Sequence, residues 1–358
     1  MHFSHRDVLN FTNENAHSPP IVEITDSHQC WPDTGNQRQP GGDMTVIDEF
    51  LFEPIEAWEQ LPSAIVLGDV AGIAVDSKDR VYLFNRGDHP IVVLDRDGTF
   101  LTSWGHGVFS NAHGASIGPD DSLYLTDNGD HTVRKFTTDG KLLLQIGIPN
   151  APSAFMSGEP FCRCTHTALS PEGDIYVSDG YWNARVHKFS PDGRLIKSWG
   201  KPGTLPGEFN LPHNICCDAA GLVYVADREN HRIQVFDGDG NYLRQINNLH
   251  RPCGLALTPG ACPCLLVGEL GAYLPVNRAT PNLGPRLMVL AHDGTLINRL
   301  GQDKPGTTPG AFVAPHSVAL DSRGDLYVGE VIANDWSAVF PDTPRPDVLR
   351  RMQKFRRV

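Results

Sequence analysis

The chain has 358 residues, with 35 glycines, 28 prolines and a formal net charge of -12, the composition of a turn-rich globular protein large enough to bury a core. That acidic balance excludes the basic face a nucleic-acid binder needs, and no apolar run reaches the roughly 18 residues of a membrane span. The polar start, Met1 to Asn10, lacks the apolar stretch of a secretory signal, so cytoplasmic residence is expected.

Residues 1–44, with Pro19-Pro20 and Pro40-Gly41-Gly42, read as an irregular N-terminal arm, and 45–358 read as one repeat domain. The first repeat runs through Gly72–Asp76 and Val81–Leu83 to an Asp97-Gly98 turn and ends at Trp104-Gly105. The second has Gly114–Ile117, Leu123–Leu125, Asp139-Gly140 and Ile146-Gly147; the third has Thr167–Leu169, Ile175–Val177, Val186–Phe189, Asp192-Gly193 and Trp199-Gly200. The fourth has Asn214–Asp218, Val223–Val225, Ile233–Phe236 and Asp239-Gly240; the fifth has Gly254–Leu257, Leu265–Val267, Asp293-Gly294 and Leu300-Gly301. The sixth supplies Ser317–Asp321, Leu326–Val328 and a third run in Val348–Phe355, with no fourth. Short β-branched and aromatic runs with Asp-Gly between the third and fourth are hairpin chemistry, since such turns need positive φ. Four strands recurring six times predict an all-β, six-bladed β-propeller. The unpaired edge of the sixth blade needs a partner, and a strand from Val46–Leu67 is expected to close the ring.

One column of the repeat reads Ala71, His113, Thr165, His213, Cys253 and His316. A single histidine at the start of a propeller strand is ordinarily a channel-lining residue. Three in one column, brought together by ring closure, point to a metal site. Three protein ligands with an open position is the pattern of a catalytic zinc, although imidazole also suits iron and manganese. His166, one place past the column, reads as a neighbour of the site rather than a ligand. Cys253 reads as a small core residue, with thiolate ligation as the alternative.

The loops that follow three second strands should lie on the same face: Asn85-Arg86-Gly87-Asp88-His89, Ser178-Asp179-Gly180-Tyr181-Trp182-Asn183 and Ala226-Asp227-Arg228-Glu229-Asn230. Arg86 and Arg228 can clamp a carboxylate or serve only as ion pairs between blades. Tyr181 is a candidate acid or base, or a ring packed in its loop.

These loops, together with Ala112-His113-Gly114, Pro212-His213 and Pro315-His316, recur in order over residues 68–331 and resemble the peptidyl-α-hydroxyglycine α-amidating lyases, within the NHL class of propellers. The resemblance implies a zinc held by His113, His213 and His316, a catalytic Tyr181, and active-site arginines at Arg86 and Arg228. It also implies cleavage of a carbinolamine C–N bond to an amide and glyoxylate. Two departures matter. The family's structural calcium takes an aspartate directly after the third histidine, where this chain has Ser317, which argues against calcium. The family's disulfides would fall on Trp182, and on Tyr224 and Val235, so the eight cysteines are expected to be mostly free thiols in a reducing compartment. The expected partner is a small, carboxylate-bearing substrate. Fold and site leave its identity open, and a metal-dependent hydrolase of lactonase or amidase type, or a non-catalytic protein-binding scaffold, are the competing readings.

Overall fold

In a computed structural model, residues 50–260 and 263–358 are described; the expected arm over 1–44 lies outside them. Six four-stranded antiparallel sheets follow one another along the chain. Blade 1 is the meander Val70–Val75, Val81–Asn85, Ile91–Leu94 and Phe100–Trp104. Blades 2 to 5 repeat that order. Blade 6 takes three strands from the C-terminal part of the chain, Pro315–Leu320, Leu326–Glu330 and Met352–Arg357. Its outer strand is Phe52–Ile55, paired in register Phe52↔Arg357 to Ile55↔Lys354. The expected ring-closing strand is therefore present within Val46–Leu67, and the backbone groups it pairs would otherwise form a bare sheet edge.

The strands differ in burial by rank. Second strands such as Val81–Asn85 and Val223–Asp227 are buried at every position, whereas fourth strands such as Leu195–Trp199 are largely exposed. Period-2 alternation sends the two faces of each sheet into different cores. Tyr82 and Phe84 pack with Leu123, Leu125 and Phe136 of blade 2, while Val81 and Leu83 pack with Tyr327 and Met352 of blade 6. Each fully buried side chain of this size contributes roughly 1.5–3 kcal/mol, so the stability of the ring lies between blades.

The Asp-Gly turns differ in one detail from the expectation. Only the glycines, Gly98, Gly140, Gly193, Gly240 and Gly294, have positive φ, between 76° and 94°. Each turn is followed by a one-residue bulge in the fourth strand: Val93 pairs with Thr102 and Leu94 with Phe100, leaving Leu101 as the extra residue. This is a turn closed by a left-handed glycine with a one-residue bulge, in which the aspartate needs no unusual backbone.

First strands of all six blades line a central channel of about 280 Å³. No helix among the described residues is long and apolar enough to cross a membrane. One helix, α1 (Ile332–Val339), is inserted between the second and third strands of blade 6. Its first turn is tied to blade 1, because Asp69 accepts from the Ala333 and Asn334 amides.

Candidate metal centre

Every second strand ends on a buried polar residue: Asn85, Asp127, Asp179, Asp227, Glu269 or Glu330. Each accepts a backbone N–H from the segment that leads into its blade's first strand. Asn111 N–H donates to Asp127 at 2.9 Å, Asn210 N–H to Asp227 at 2.7 Å and Val313 N–H to Glu330 at 2.8 Å. A buried amide must find such an acceptor, so these side chains fix the chain two or three residues ahead of the column. The column residue itself is then skipped by the ladder. Register shifts fall between Ala112 and Gly114, Pro212 and Asn214, and Pro315 and Ser317. A bulge of this kind turns one side chain out of the sheet, here His113, His213 and His316.

The three imidazoles meet. Their ring centroids are 4.7–4.9 Å apart, and one ligand atom from each lies within 4.8 Å of the others. All three are buried. His113 Nδ1 lies 2.7 Å from Thr165 O, His213 Nδ1 3.0 Å from Cys253 O and His316 Nδ1 2.8 Å from Ala71 O. A carbonyl can only accept, so each Nδ1 carries the proton and each Nε2 keeps its lone pair. The acceptors are the remaining three members of the column. Histidine and anchor thus alternate around the ring, the outer hydrogen-bonding pattern that orients metal-binding imidazoles.

Burial pushes all three imidazoles down from their usual 6.5, His113 and His213 well below it and His316 to about 3; Arg86 adds to this at His113 and His316, and Arg228 at His213 and His316. Neutral imidazoles beside two cations are a donor set suited to a divalent ion. The pH dependence follows. Below pH 6.5 the unfolded chain takes up protons that the folded site refuses, so stability falls as pH drops from about 6.5 toward 3. Thermal melts of chelator-treated protein between pH 7.5 and 5 should show this loss, and His316→Asn should shrink it. An undiminished slope in that variant would show that the cluster is not its source.

Tyr181 joins the cluster. Its hydroxyl lies 3.2 Å from His113 Nε2 and 3.3 Å from His213 Nε2, and donates to one of them. Arg228 lies over the Tyr181 ring at 5.6 Å, and its Nε donates to Glu229 at 2.8 Å. Arg86 donates from Nε to Ala112 O at 3.1 Å, beside His113. The structure therefore brings together the three histidines, the tyrosine and both arginines, and Arg228 carries an ion pair as well. His166 stands apart: it is buried, lines the channel, and its Nδ1 has no hydrogen-bond partner among the described residues. Cys253 is outside the three-histidine group, and burial raises its thiol to about 12. Its carbonyl anchors His213 while its Sγ rests 3.4 Å from the same ring. Ser317, directly after His316, accepts the Ile73 amide at 2.7 Å and so joins blades 6 and 1.

The sequence reading passes over three features here. The buried acceptors at second-strand ends are visible in hindsight as a polar residue recurring at one register. Arg163, stacked on Trp182 at 4.6 Å, and Tyr273, which donates to Asp335 of α1, lie on insertions that do not repeat. Close packing at the axis also depends on Gly114. A Cβ there would stand 2.5 Å from Thr165 O, the oxygen that holds His113. Gly114→Ala is expected to cost about 1–3 kcal/mol through overpacking, read as a lower denaturation midpoint together with weaker metal retention.

Comparison with known proteins agrees with the repeat. The NHL repeat model matches residues 161–189 and 209–236, within blades 3 and 4. NHL repeat-containing protein 3 of Homo sapiens is 33% identical over 82% of this chain and 85% of its own length. The chain belongs to the NHL-repeat family. Other relatives carry enzyme names: peptidyl-alpha-hydroxyglycine alpha-amidating lyase 1 of Drosophila melanogaster is 34% identical over 49% of this chain and 34% of its own. The chain spans about a third of the length of the amidating monooxygenases it also matches, 36% of form A of Xenopus laevis. A streptogramin B lyase structure superposes with a TM-score of 0.53 at 14% identity, covering 86% of this chain and 97% of that one, a likeness of fold alone.

Proposed function

We propose that this NHL-repeat propeller is a metal-dependent lyase that cleaves the C–N bond of an α-hydroxyglycine derivative, releasing an amide and glyoxylate. One observation carries the reading: three neutral, carbonyl-anchored imidazoles present their Nε2 atoms at one point, with the Tyr181 hydroxyl against two of them. The relatives named as lyases support it. His113, His213 and His316 would hold the ion, zinc in the first instance, with iron or manganese acceptable to the same donors. A bound ion supplies Lewis acidity to the substrate hydroxyl.

The remaining work falls to the protein's own groups. Tyr181, acting as the phenolate, accepts the hydroxyl proton and, as the phenol so formed, returns it to the departing nitrogen as the C–N bond breaks and the C–O bond becomes a carbonyl. Arg86 and Arg228 flank the cluster with positive charge and hold the carboxylate that becomes part of glyoxylate. Residence in a reducing compartment belongs to the same proposal, supported by Cys162, Cys164, Cys216, Cys217 and Cys253, which stand as free thiols.

The test is metal analysis of protein purified without chelator, followed by glyoxylate assay with an N-acyl-α-hydroxyglycine. About one transition-metal ion per chain and metal-dependent glyoxylate release are expected. Metal without glyoxylate would reject the lyase chemistry. Absence of metal would favour a non-catalytic propeller, the reading that the name of the human relative leaves open.

A further inference from the structure

Arg228 and Arg251 share one carboxylate, Glu229. Arg228 opens a single 3-10 turn, Arg228–Asn230, whose backbone is pinned to the segment leading to His213. Arg228 N–H donates to Leu211 O at 3.1 Å and Glu229 N–H to Asn210 O at 3.0 Å. The Arg228 side chain is buried, lies over the Tyr181 ring and gives only its Nε to a protein partner, Glu229 Oε1 at 2.8 Å. Its Nη1 and Nη2 have no hydrogen-bond partner among the described residues, so both are left for an anion. Glu229 is held in turn by Arg251, at the entry to blade 5, which closes a fork on it: Nη2 lies 3.0 Å from Oε1 and Nε 3.2 Å from Oε2. Arg251 is fixed from two further sides, since Nη1 donates to Gly271 O at 3.2 Å and the guanidinium lies 4.1 Å from the centre of the Tyr273 ring. Tyr273 itself donates to Asp335 of α1. Burial pushes the Glu229 carboxyl up, but the two arginines outweigh it and hold the group below its usual 4.5, so it is charged at neutral pH. An ion pair between two freely rotating side chains restrains little. A carboxylate forked to a second, stacked guanidinium can fix a long side chain in one place.

We propose that Glu229 is a positioning residue: shared with Arg251, it holds the Arg228 guanidinium against Tyr181 with both Nη groups open to the substrate carboxylate. The inference rests on the lyase reading and deepens it, at one of the two arginines to which that reading gives the carboxylate. Two effects of Glu229 oppose each other. Its negative charge repels an incoming carboxylate, while its hydrogen bond places a donor that binds it. The charge is matched by two cations, and its side chain is 29% exposed, so solvent screens what repulsion is left. Positioning is the larger effect. Removing Glu229 is therefore expected to weaken carboxylate binding, a sign opposite to the relief of a repulsion.

The experiment measures calorimetric binding of N-acetylglycine and of its uncharged analogue N-acetylglycinamide to the metal-loaded protein. Wild type is expected to prefer the carboxylate by about tenfold or more. Glu229→Ala is expected to weaken N-acetylglycine binding about tenfold, the loss of one charge-assisted contact, and N-acetylglycinamide binding less than about threefold. Glu229→Met, of similar length but without an acceptor, repeats the measurement should the alanine variant fail to fold. Once Arg228→Met is in place, the same change at Glu229 is expected to cost N-acetylglycine nothing further, since its effect runs through Arg228. Unchanged or tighter N-acetylglycine binding without Glu229, an equal loss for both probes, or an undiminished loss beside Arg228→Met overturns the inference. A wild type with no carboxylate preference overturns it as well. Glyoxylate release from N-acetyl-α-hydroxyglycine by wild type judges the lyase reading separately. Its absence, alongside a carboxylate preference that depends on Glu229, would remove the chemistry and leave the positioning role standing.

Discussion

His213→Ala is expected to strip the protein of stoichiometric metal and to lower glyoxylate release by about a thousandfold or more. The magnitude follows from the several kcal/mol that Lewis-acid stabilisation supplies, at about 1.4 kcal/mol per tenfold in rate. His213, like His113, meets both other imidazoles and the Tyr181 hydroxyl. It is fully buried, anchored on Cys253 O, within 4.7 Å of His316 and 4.9 Å of His113 by ring centroid, and 3.3 Å from the Tyr181 hydroxyl. Its removal leaves two donors, and two imidazoles without a third hold a divalent ion weakly. Metal analysis and turnover are read together, with circular dichroism to show that the propeller persists. Full metal occupancy and near-normal turnover in this variant would refute the assignment of the column as the ion's ligands.

Tyr181→Phe is the second large effect, and it separates differently. The hydroxyl alone is lost, so the ring remains and still faces Arg228. Loss of a positioned proton-transfer group lowers kcat by about 10²–10⁴-fold, with metal content retained and KM changed little. The split is informative because the hydroxyl touches two of the imidazoles. A variant that loses metal along with activity would assign Tyr181 to holding the ion. One that keeps near-normal kcat would remove it from the proton path.

Much of this architecture was readable in the primary sequence because a propeller repeats local patterns. The alternation of Val81–Asn85 or Val223–Asp227, the glycines of the third-to-fourth turns and the missing fourth strand of blade 6 are all local signals. Phe52–Ile55 was anticipated as the closing strand since a bare sheet edge needs a partner, although its exact span was not. The column His113, His213 and His316 was legible for the same reason: equivalent positions in equivalent blades must face one axis. Arg86, Tyr181 and Arg228 were found at the ends of second strands, which place them on the face the column enters.

What residue order determined by itself is therefore the blade, its periodicity and the alignment of its columns, because these depend on short-range alternation and turn chemistry. The tertiary structure decided everything that depends on ring closure and on the packing of unlike neighbours. Only closure shows that Ala71, Thr165 and Cys253, the other members of the column, supply the carbonyls that set each histidine's tautomer. Only packing shows a cavity walled in part by Tyr181 and the docking of Tyr273 on α1, since those insertions follow no repeat. Their contacts come from surfaces far apart along the chain, whose meeting no local pattern encodes.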